Sequence, residues 1–159
     1  NCLKMLNASW NQFQLKSAKA FTAGLKFNRC ILEKLDLSNN AFGDRGGAFF
    51  GQAIEVNETL RELDLSACGI SETSCFVLAY GVAKSNVLVT LNLNKNRVGL
   101  NGGIYLLRSM MYNQALEWMG MQECGFGELG NTLGFSFTNP EGTYTLDLGA
   151  PEGRQTAIE

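Results

Sequence analysis

The sequence of 159 residues contains no histidine and only two prolines. Histidine is the commonest general base and the commonest zinc ligand, so its absence excludes most hydrolase triads and histidine-ligated zinc sites. Lys and Arg number 13 against 15 Asp and Glu, and the balance lacks the basic surface of nucleic-acid-binding proteins. No hydrophobic run approaches the ~20 residues that a membrane-spanning helix needs. We therefore expect neither a nucleic-acid partner nor membrane insertion.

The five cysteines are odd in number and contain no CxxC pair. They fit neither a disulfide framework nor a zinc cage, and we expect no metal and no cofactor. Free thiols are typical of a reducing compartment, which predicts a cytoplasmic location. Two glycosylation sequons, at Asn7 and Asn57, are the only sign of secretion. The sequence begins with Asn rather than Met, and we expect a fragment of a longer intracellular protein.

One motif recurs along most of the chain. It reads Leu-x-x-Leu-x-Leu, with Met in place of the second and third leucines in one copy, followed three residues later by Asn or Cys. A weaker copy starts at Leu3, 29 residues before the first of the others. Period and motif are those of leucine-rich repeats. The four clear copies start 28 residues apart, at Leu32, Leu60, Leu88 and Leu116.

Each motif predicts a short strand with one buried face. Leu35 and Leu37 are two residues apart, so they point to the same side of a strand while Asp36 points to the other. The Asn or Cys that follows marks a turn, where a side-chain amide can satisfy backbone groups that leave the ladder. We expect Cys68 and Cys124, which occupy this turn position, to be buried weak donors.

Helical patterns separate the strands, at about 14–27, 44–56, 72–84 and 101–113. Strand-then-helix units stack into a parallel sheet through right-handed crossovers. Because helices need more room than strands, the stack must curve with the strands on the inside. The fold class predicted is α/β, a curved right-handed solenoid. The helix stripe facing the strands is predicted to contain Ala48, Phe50 or Gly51, Ile54, Cys75, Phe76, Leu78, Val82, Ile104, Leu106 and Met110.

These repeats resemble the ribonuclease-inhibitor type of leucine-rich repeat. The resemblance rests on the 28- or 29-residue period, a helix in every unit, and the alternation of Asn and Cys at the turn, and it covers about residues 3–126. It implies the fold directly. Functions in this repeat class include inhibitors of secreted ribonucleases, ligand-sensing domains of innate-immune receptors, GTPase-activating proteins of the Ran pathway and ciliary scaffold subunits, so the fold leaves the function open.

The tail departs from the repeat pattern. We predict five repeats over residues 1–126, an irregular repeat with a β-hairpin over 127–148, and the truncated start of a further unit over 149–159. Four glycines and a proline in 127–142 argue against a helix, and Asn139-Pro140-Glu141-Gly142 is typical of a turn. The hairpin, followed by Pro151, resembles leucine-rich subunits of cilia and flagella, including those of the nexin–dynein regulatory complex. An ordinary irregular repeat is the alternative.

The outward strand positions form the candidate binding surface. Adjacent repeats place Asp36 and Asp64 ~5 Å apart, and Trp118 is an aromatic residue in a row that is otherwise mostly polar. An aromatic in such a place is typical of a protein-binding hot spot; packing of Trp118 against the tail hairpin, with Gly120 making room, is the alternative. The predicted partner-binding residues are Lys34, Asp36, Glu62, Asp64, Asn92, Asn94 and Trp118.

The sequence predicts a non-catalytic protein-interaction scaffold within a larger complex, such as a ciliary axoneme. Exposed carboxylates flanked by Lys34 and Arg61 are usually a solvated surface, so no catalytic residue is assigned. Two alternatives stay open. One is a regulator that activates a GTPase or inhibits a ribonuclease, and the other is the ligand-sensing repeat domain of an innate-immune receptor.

Overall fold

The computed structural model describes residues 3–125. Strands and helices alternate strictly along this part of the chain, as the repeat predicts. The helices begin and end within three residues of the predicted bounds. The elements are β1 (Met5–Asn7), α1 (Leu15–Leu25), β2 (Lys34–Asp36), α2 (Gly43–Val56), β3 (Glu62–Asp64), α3 (Glu72–Lys84), β4 (Thr90–Asn92), α4 (Gly99–Met110) and β5 (Trp118–Gly120).

The five strands form one parallel sheet in the order β1-β2-β3-β4-β5. Each strand pairs with its neighbour in the register of the repeat, so that Leu35 lies beside Leu63 and Leu63 beside Leu91. These leucines are buried, while the residues on either side of each remain partly exposed. The predicted α/β repeat solenoid is confirmed, and its core lies between the sheet and the helices.

The asparagine turns are confirmed as well. Asn40 is buried, and its Nδ2 donates to the carbonyl oxygens of Leu37 and Ala8 at 2.8 and 3.0 Å. Its Oδ1 accepts from the main-chain N–H groups of Asn11 and Phe13. One side chain thus satisfies backbone groups of its own repeat and of the preceding one.

The helix layer differs from prediction at one residue. Phe76 is 62% exposed, whereas its predicted stripe neighbours Leu78 and Val82 are fully buried. Successive residues in a helix are turned by about 100°, and the buried arc of α3 is centred on Cys75, Leu78 and Val82. Phe76 lies outside that arc, and its aligned positions in α2 and α4, Ala48 and Ile104, are only half-buried. The prediction that Phe76 packs inward is wrong.

The predicted hairpin, at 127–148, and the further unit, at 149–159, lie outside the described residues. Between residues 3 and 125 the longest helix, α2, has 14 residues, and no helix there has the length and apolarity of a membrane span.

Candidate protein-binding surface

The outward side chains of β1 to β5 form a continuous surface, called here the strand face. Its rows run across the sheet because neighbouring strands pair in parallel register. The strands surround a shallow concavity of about 390 Å³. Six of the seven predicted partner-binding residues line it: Lys34, Asp36, Glu62, Asp64, Asn92 and Trp118.

Asp36 and Asp64 are register partners on β2 and β3. Each carboxylate is flanked on its outer side by an asparagine: Asn7 Nδ2 donates to Asp36 Oδ2 at 2.8 Å, and Asn92 Nδ2 donates to Asp64 Oδ2 at 2.7 Å. The other oxygen of each accepts from the main-chain N–H two residues on, at Ser38 and Ser66. The two like charges therefore lie side by side between neutral amides, in fixed orientations.

The row beside the two carboxylates carries an ion pair. Lys34 Nζ lies 2.5 Å from Glu62 Oε1, and both side chains are 45% exposed. An exposed pair of this kind contributes about 0–1 kcal/mol to stability. Its main consequence is electrostatic, since Lys34 is matched by Glu62, and within residues 3–125 Asp36 and Asp64 have no ion-pair partner.

Trp118 lies over Gly120 of its own strand. A Cβ placed on Gly120 would be 2.5 Å from Trp118 Cη2 and 2.7 Å from Asn92 Oδ1. The missing side chain leaves the space that the indole occupies, so Gly120 makes room for Trp118 itself. Trp118 remains half-buried, and the hairpin that was its alternative contact lies outside the described residues.

Asn94, the seventh predicted residue, does not line the concavity. Its Oδ1 accepts from the main-chain N–H of Gln122 at 2.7 Å. In the earlier repeats the equivalent main-chain N–H donates to the side chain two residues before it, as the N–H of Ser66 does to Asp64 Oδ1. Gly120 has no side chain to accept the bond, and Asn94 of the neighbouring strand replaces it. Asn94 thus anchors the main chain that follows β5, and its predicted contact with a partner stays a prediction.

Six further residues line the concavity. Leu6, Leu35 and Leu63 are the central residues of their strands. The other three, Met5, Asn7 and Thr90, point outward but were not among the predicted partner-binding residues. They occupy the same rows as the predicted residues, and that alignment was the available signal.

The sequence interpretation also missed a series of asparagine hydrogen bonds that join the carboxyl ends of neighbouring helices, called here the helix-end ladder. Asn57 Nδ2 donates to the Leu25 carbonyl at 2.7 Å, and Asn113 Nδ2 donates to the Val82 carbonyl at 2.6 Å. Burial of Asn57 in this ladder leaves its sequon no room for a glycan in the folded chain.

The buried thiols are structural groups. Desolvation raises the pKa of Cys68 and Cys75 to about 12 and that of Cys124 to about 11. Thiolates are the reactive form of cysteine, and these raised pKa values keep the three thiols protonated at neutral pH. Cys68 Sγ and Cys124 Sγ donate weakly to the carbonyls of Leu37 and Leu93, as predicted. Within residues 3–125, no cluster of three or more Cys, Asp or Glu could hold a metal ion.

The sequence matches the family model described as "Leucine Rich repeat" at residues 30–51, 56–79 and 84–107. The chain is 36% identical over 86 residues to NACHT, LRR and PYD domains-containing protein 3 of Mus musculus, a match that covers 54% of the chain and 8% of that protein. It is 34% identical over 95 residues to the ribonuclease inhibitor of Mus musculus, covering 59% of the chain and 21% of that protein.

Among solved structures, the fold is similar to that of the leiomodin-1 actin-binding site 2, with a TM-score of 0.70 at 18% identity, covering 82% of this chain and 75% of that one. At this identity the likeness concerns the fold alone. The chain spans only about 6% of the length of the first curated relatives that it matches. Repeat period, strand register, asparagine turns and these matches agree that the chain carries leucine-rich repeats similar to those of the ribonuclease-inhibitor type.

Proposed function

We propose that the chain is a non-catalytic protein-binding module whose strand face takes a basic side chain of its partner between Asp36 and Asp64. The observation that carries the proposal is the placement of these two carboxylates side by side in the concavity that Trp118 also lines, where neither forms an ion pair with a Lys or Arg of residues 3–125. Leucine-rich repeats are protein-interaction modules, and this surface has the charge and the aromatic group that a specific contact needs.

The two neighbouring carboxylates call for a basic group on the partner. Like charges on neighbouring strands destabilise the free protein slightly. A guanidinium or ammonium group placed between Asp36 and Asp64 would relieve that repulsion and gain charge-assisted hydrogen bonds. Lys34 does not do so, because its ammonium group pairs with Glu62. Steering of a basic partner towards this surface should therefore depend on salt concentration.

Trp118 supplies the apolar part of the surface. Its indole packs over Gly120 on the strand face and is already ordered there. Little side-chain entropy is therefore lost when a partner covers it. Aromatic side chains in such positions contribute most of the binding energy of many interfaces. Asp36 and Asp64 would set the rate of association, and Trp118 the lifetime of the complex.

The wider role follows from the same features. A partner held in a larger complex in a reducing compartment fits a chain with buried, unpaired thiols at Cys68, Cys75 and Cys124. The matches to NACHT, LRR and PYD proteins and to ribonuclease inhibitor favour a second candidate, the repeat region of a receptor or regulator, over the ciliary scaffold. The ciliary interpretation depends on tail residues outside the described part.

The test compares binding by the wild-type chain with binding by Asp36→Asn/Asp64→Asn and by Trp118→Ala. Proteins captured by the wild-type chain are purified, and their association and dissociation rates are measured at low and high salt. The double variant should associate about 10-fold more slowly at low salt and lose most of the salt dependence. Trp118→Ala should dissociate at least about 10-fold faster.

Glu55→Gln/Glu58→Gln is the matched control, because it removes the same charge from exposed positions at the end of α2 and the turn that follows. It should leave both rates unchanged. The proposal is wrong if every captured protein binds the strand-face variants as it binds the wild type. It is also wrong if the Glu55 and Glu58 control slows association as much as the double variant does.

A further inference from the structure

The outer side of α3 and α4 carries an exposed aromatic cluster, called here the aromatic ridge, formed by Phe76, Tyr80 and Tyr105. Their exposed fractions are 62%, 49% and 41%. Phe76 and Tyr105 pack edge to face across the two helices, with ring centroids 5.6 Å apart. Tyr80 follows Phe76 by four residues and so lies on the same face of α3. Large apolar groups clustered on a surface mark an interaction site more often than isolated ones do.

Two cations flank one end of the ridge. Lys84 Nζ lies 5.8 Å from the centre of the Tyr80 ring. Arg108 is exposed and occupies, 28 residues on, the position of Tyr80 in the next helix. The opposite end carries Glu72, whose carboxylate accepts from Asn101 Nδ2 at 2.7 Å. The ridge therefore has Lys84 and Arg108 at the carboxyl ends of α3 and α4, whereas Glu72 occupies the amino end of α3.

Among the described helices, exposed aromatic rings are clustered on α3 and α4 and not on α1 and α2. On α1 and α2 the exposed charged residues include Lys16, Lys19 and Arg45, without a comparable group of exposed rings. Phe49 of α2 is half-buried, and Lys19 Nζ lies 5.6 Å from the centre of its ring. The ridge on α3 and α4 thus combines open ring faces with neighbouring cations, which the rest of the described helix layer does not.

We propose that the aromatic ridge binds an acidic amphipathic segment of a partner protein. Apolar side chains of the segment would lie against Phe76, Tyr80 and Tyr105, and its carboxylates would pair with Lys84 and Arg108. A short helix with one apolar face and acidic residues at one edge has the required chemistry. This surface is separate from the strand face and has the opposite charge preference, so it does not depend on the function proposed above.

An anionic membrane would present a similar combination of charge and apolar groups. The distribution of charge favours a protein segment, because a uniformly negative surface lying across the helices would also meet Glu72 and Glu55. A peptide can place its acidic residues at Lys84 and Arg108 alone. The edge-to-face contact of Phe76 with Tyr105 also holds the rings in one arrangement, as a specific interface requires.

The probe is a fluorescently labelled helical peptide of leucine and glutamate, with the glutamates along one edge. Its affinity for the wild-type chain is measured by fluorescence anisotropy at low and high salt. Lys84→Glu/Arg108→Glu should weaken binding at least about 10-fold at low salt. Phe76→Ser/Tyr105→Ser should weaken it by a similar factor at both salt concentrations. These side chains are exposed, and circular dichroism checks that both variants remain folded.

Lys16→Glu/Arg45→Glu is the matched control, because it makes the same change in net charge on α1 and α2. It should bind the peptide nearly as well as the wild type. The proposal is overturned if the peptide fails to bind even at millimolar concentration, or if the control loses as much affinity as the ridge variants. Ridge-dependent binding to phosphatidylserine vesicles, with no binding to the peptide, would identify a membrane surface instead and would also overturn it.

Discussion

From Asn40 onward, asparagine and cysteine turns alternate, and the two kinds satisfy the backbone in different ways. Asn96 Oδ1 accepts from the N–H groups of Cys68 and Ile70, both at 3.0 Å. Its Nδ2 donates to the carbonyls of Leu65 and Leu93, both at 2.9 Å. The amide therefore joins its own repeat to donors and acceptors of the preceding one. Asn40 does the same one pair of repeats earlier.

The cysteine turns do only part of this work. Cys68 Sγ donates to the Leu37 carbonyl at 3.2 Å, and a thiol has one proton and accepts only weakly. The carbonyl of each cysteine turn accepts a bond from a glycine N–H of the preceding repeat. Gly43 N–H donates to the Cys68 carbonyl at 3.0 Å, and Gly99 N–H donates to the Cys124 carbonyl at the same distance. Both glycines have positive φ, +63° and +64°.

The difference shows that an asparagine turn serves the turn before it, whether that turn carries asparagine, as at Asn11, or cysteine, as at Cys68. An asparagine turn reaches back to the N–H groups of a cysteine turn, and a cysteine carbonyl receives a glycine N–H from the asparagine turn before it. A chain with cysteine at every turn would leave buried N–H groups without an acceptor, at a cost of about 1–3 kcal/mol each.

The largest expected effect is the loss of an asparagine turn. Asn96→Ala should lower the free energy of unfolding by about 3 kcal/mol or more, because it leaves the buried N–H groups of Cys68 and Ile70 and two carbonyls without their partner. Urea unfolding, followed by far-ultraviolet circular dichroism, measures the change.

Cys68→Ala is the comparison at the cysteine turn. It removes a fully buried sulfur and one weak donor, and the loss should be about 1–2 kcal/mol. Equal losses for Cys68→Ala and Asn96→Ala would contradict the distinction between the two turns.

Much of the fold could be predicted because a three-residue strand leaves few choices of which side chains are buried and how neighbouring strands pair. The alternation of Leu35, Asp36 and Leu37 sets which side is buried, and the 28-residue period sets the register. The helices were harder to interpret. A helix rotates its side chains by about 100° per residue, so aligned positions such as Ala48 and Phe76 can lie just outside the buried arc. The exposed ring of Phe76 was therefore missed, and with it the aromatic ridge.

The sequence predicted which residues lie on the strand face, but it did not predict the hydrogen bonds between their side chains. The sequence places Asp36 beside Asp64, and the sheet register confirms that placement. It does not show that Asn7 and Asn92 each donate to one of these carboxylates, because those bonds depend on side-chain orientation. The packing of Trp118 over Gly120 could not be predicted from the repeat pattern either. It depends on the missing side chain of Gly120, in a row where the other strands carry side chains.

A smaller effect should come from the glycine that serves the cysteine turn. Gly43→Ala should lower the free energy of unfolding by about 1–2 kcal/mol, because an L residue is strained at φ +63°. A Cβ there would meet no atom within 4 Å, so the cost is conformational and not steric. Thermal unfolding of the variant measures it.

Gly24→Ala is the matched control, since a Cβ at Gly24, in the last turn of α1, also meets no atom within 4 Å and the residue has no positive φ. It should be neutral or stabilise the chain by up to about 1 kcal/mol. A Gly43→Ala variant as stable as Gly24→Ala would show that the positive φ does not matter to the cysteine turn.

The smallest expected effect is a difference between the cysteine and asparagine turns in how the free energy of unfolding depends on pH. Burial raises the pKa of the Cys68 thiol to about 12, against about 8.5 in an unfolded chain. The folded state holds the proton more tightly, so this contribution to stability is complete below about pH 8.5 and is lost as the pH rises towards 12. Between about pH 8.5 and 9.5 the wild type should lose about 1 kcal/mol more than Cys68→Ala, measured by urea unfolding at each pH.

An amide does not titrate in this range, and Asn96→Ala, although much less stable, should therefore keep the pH dependence of the wild type. Lysine and tyrosine side chains also titrate towards high pH, but they are common to all three proteins and cancel in the comparison. If Cys68→Ala loses as much stability as the wild type over this interval, the thiol is ionised in the folded chain and the cysteine turn is not the dry, neutral contact that its burial indicates.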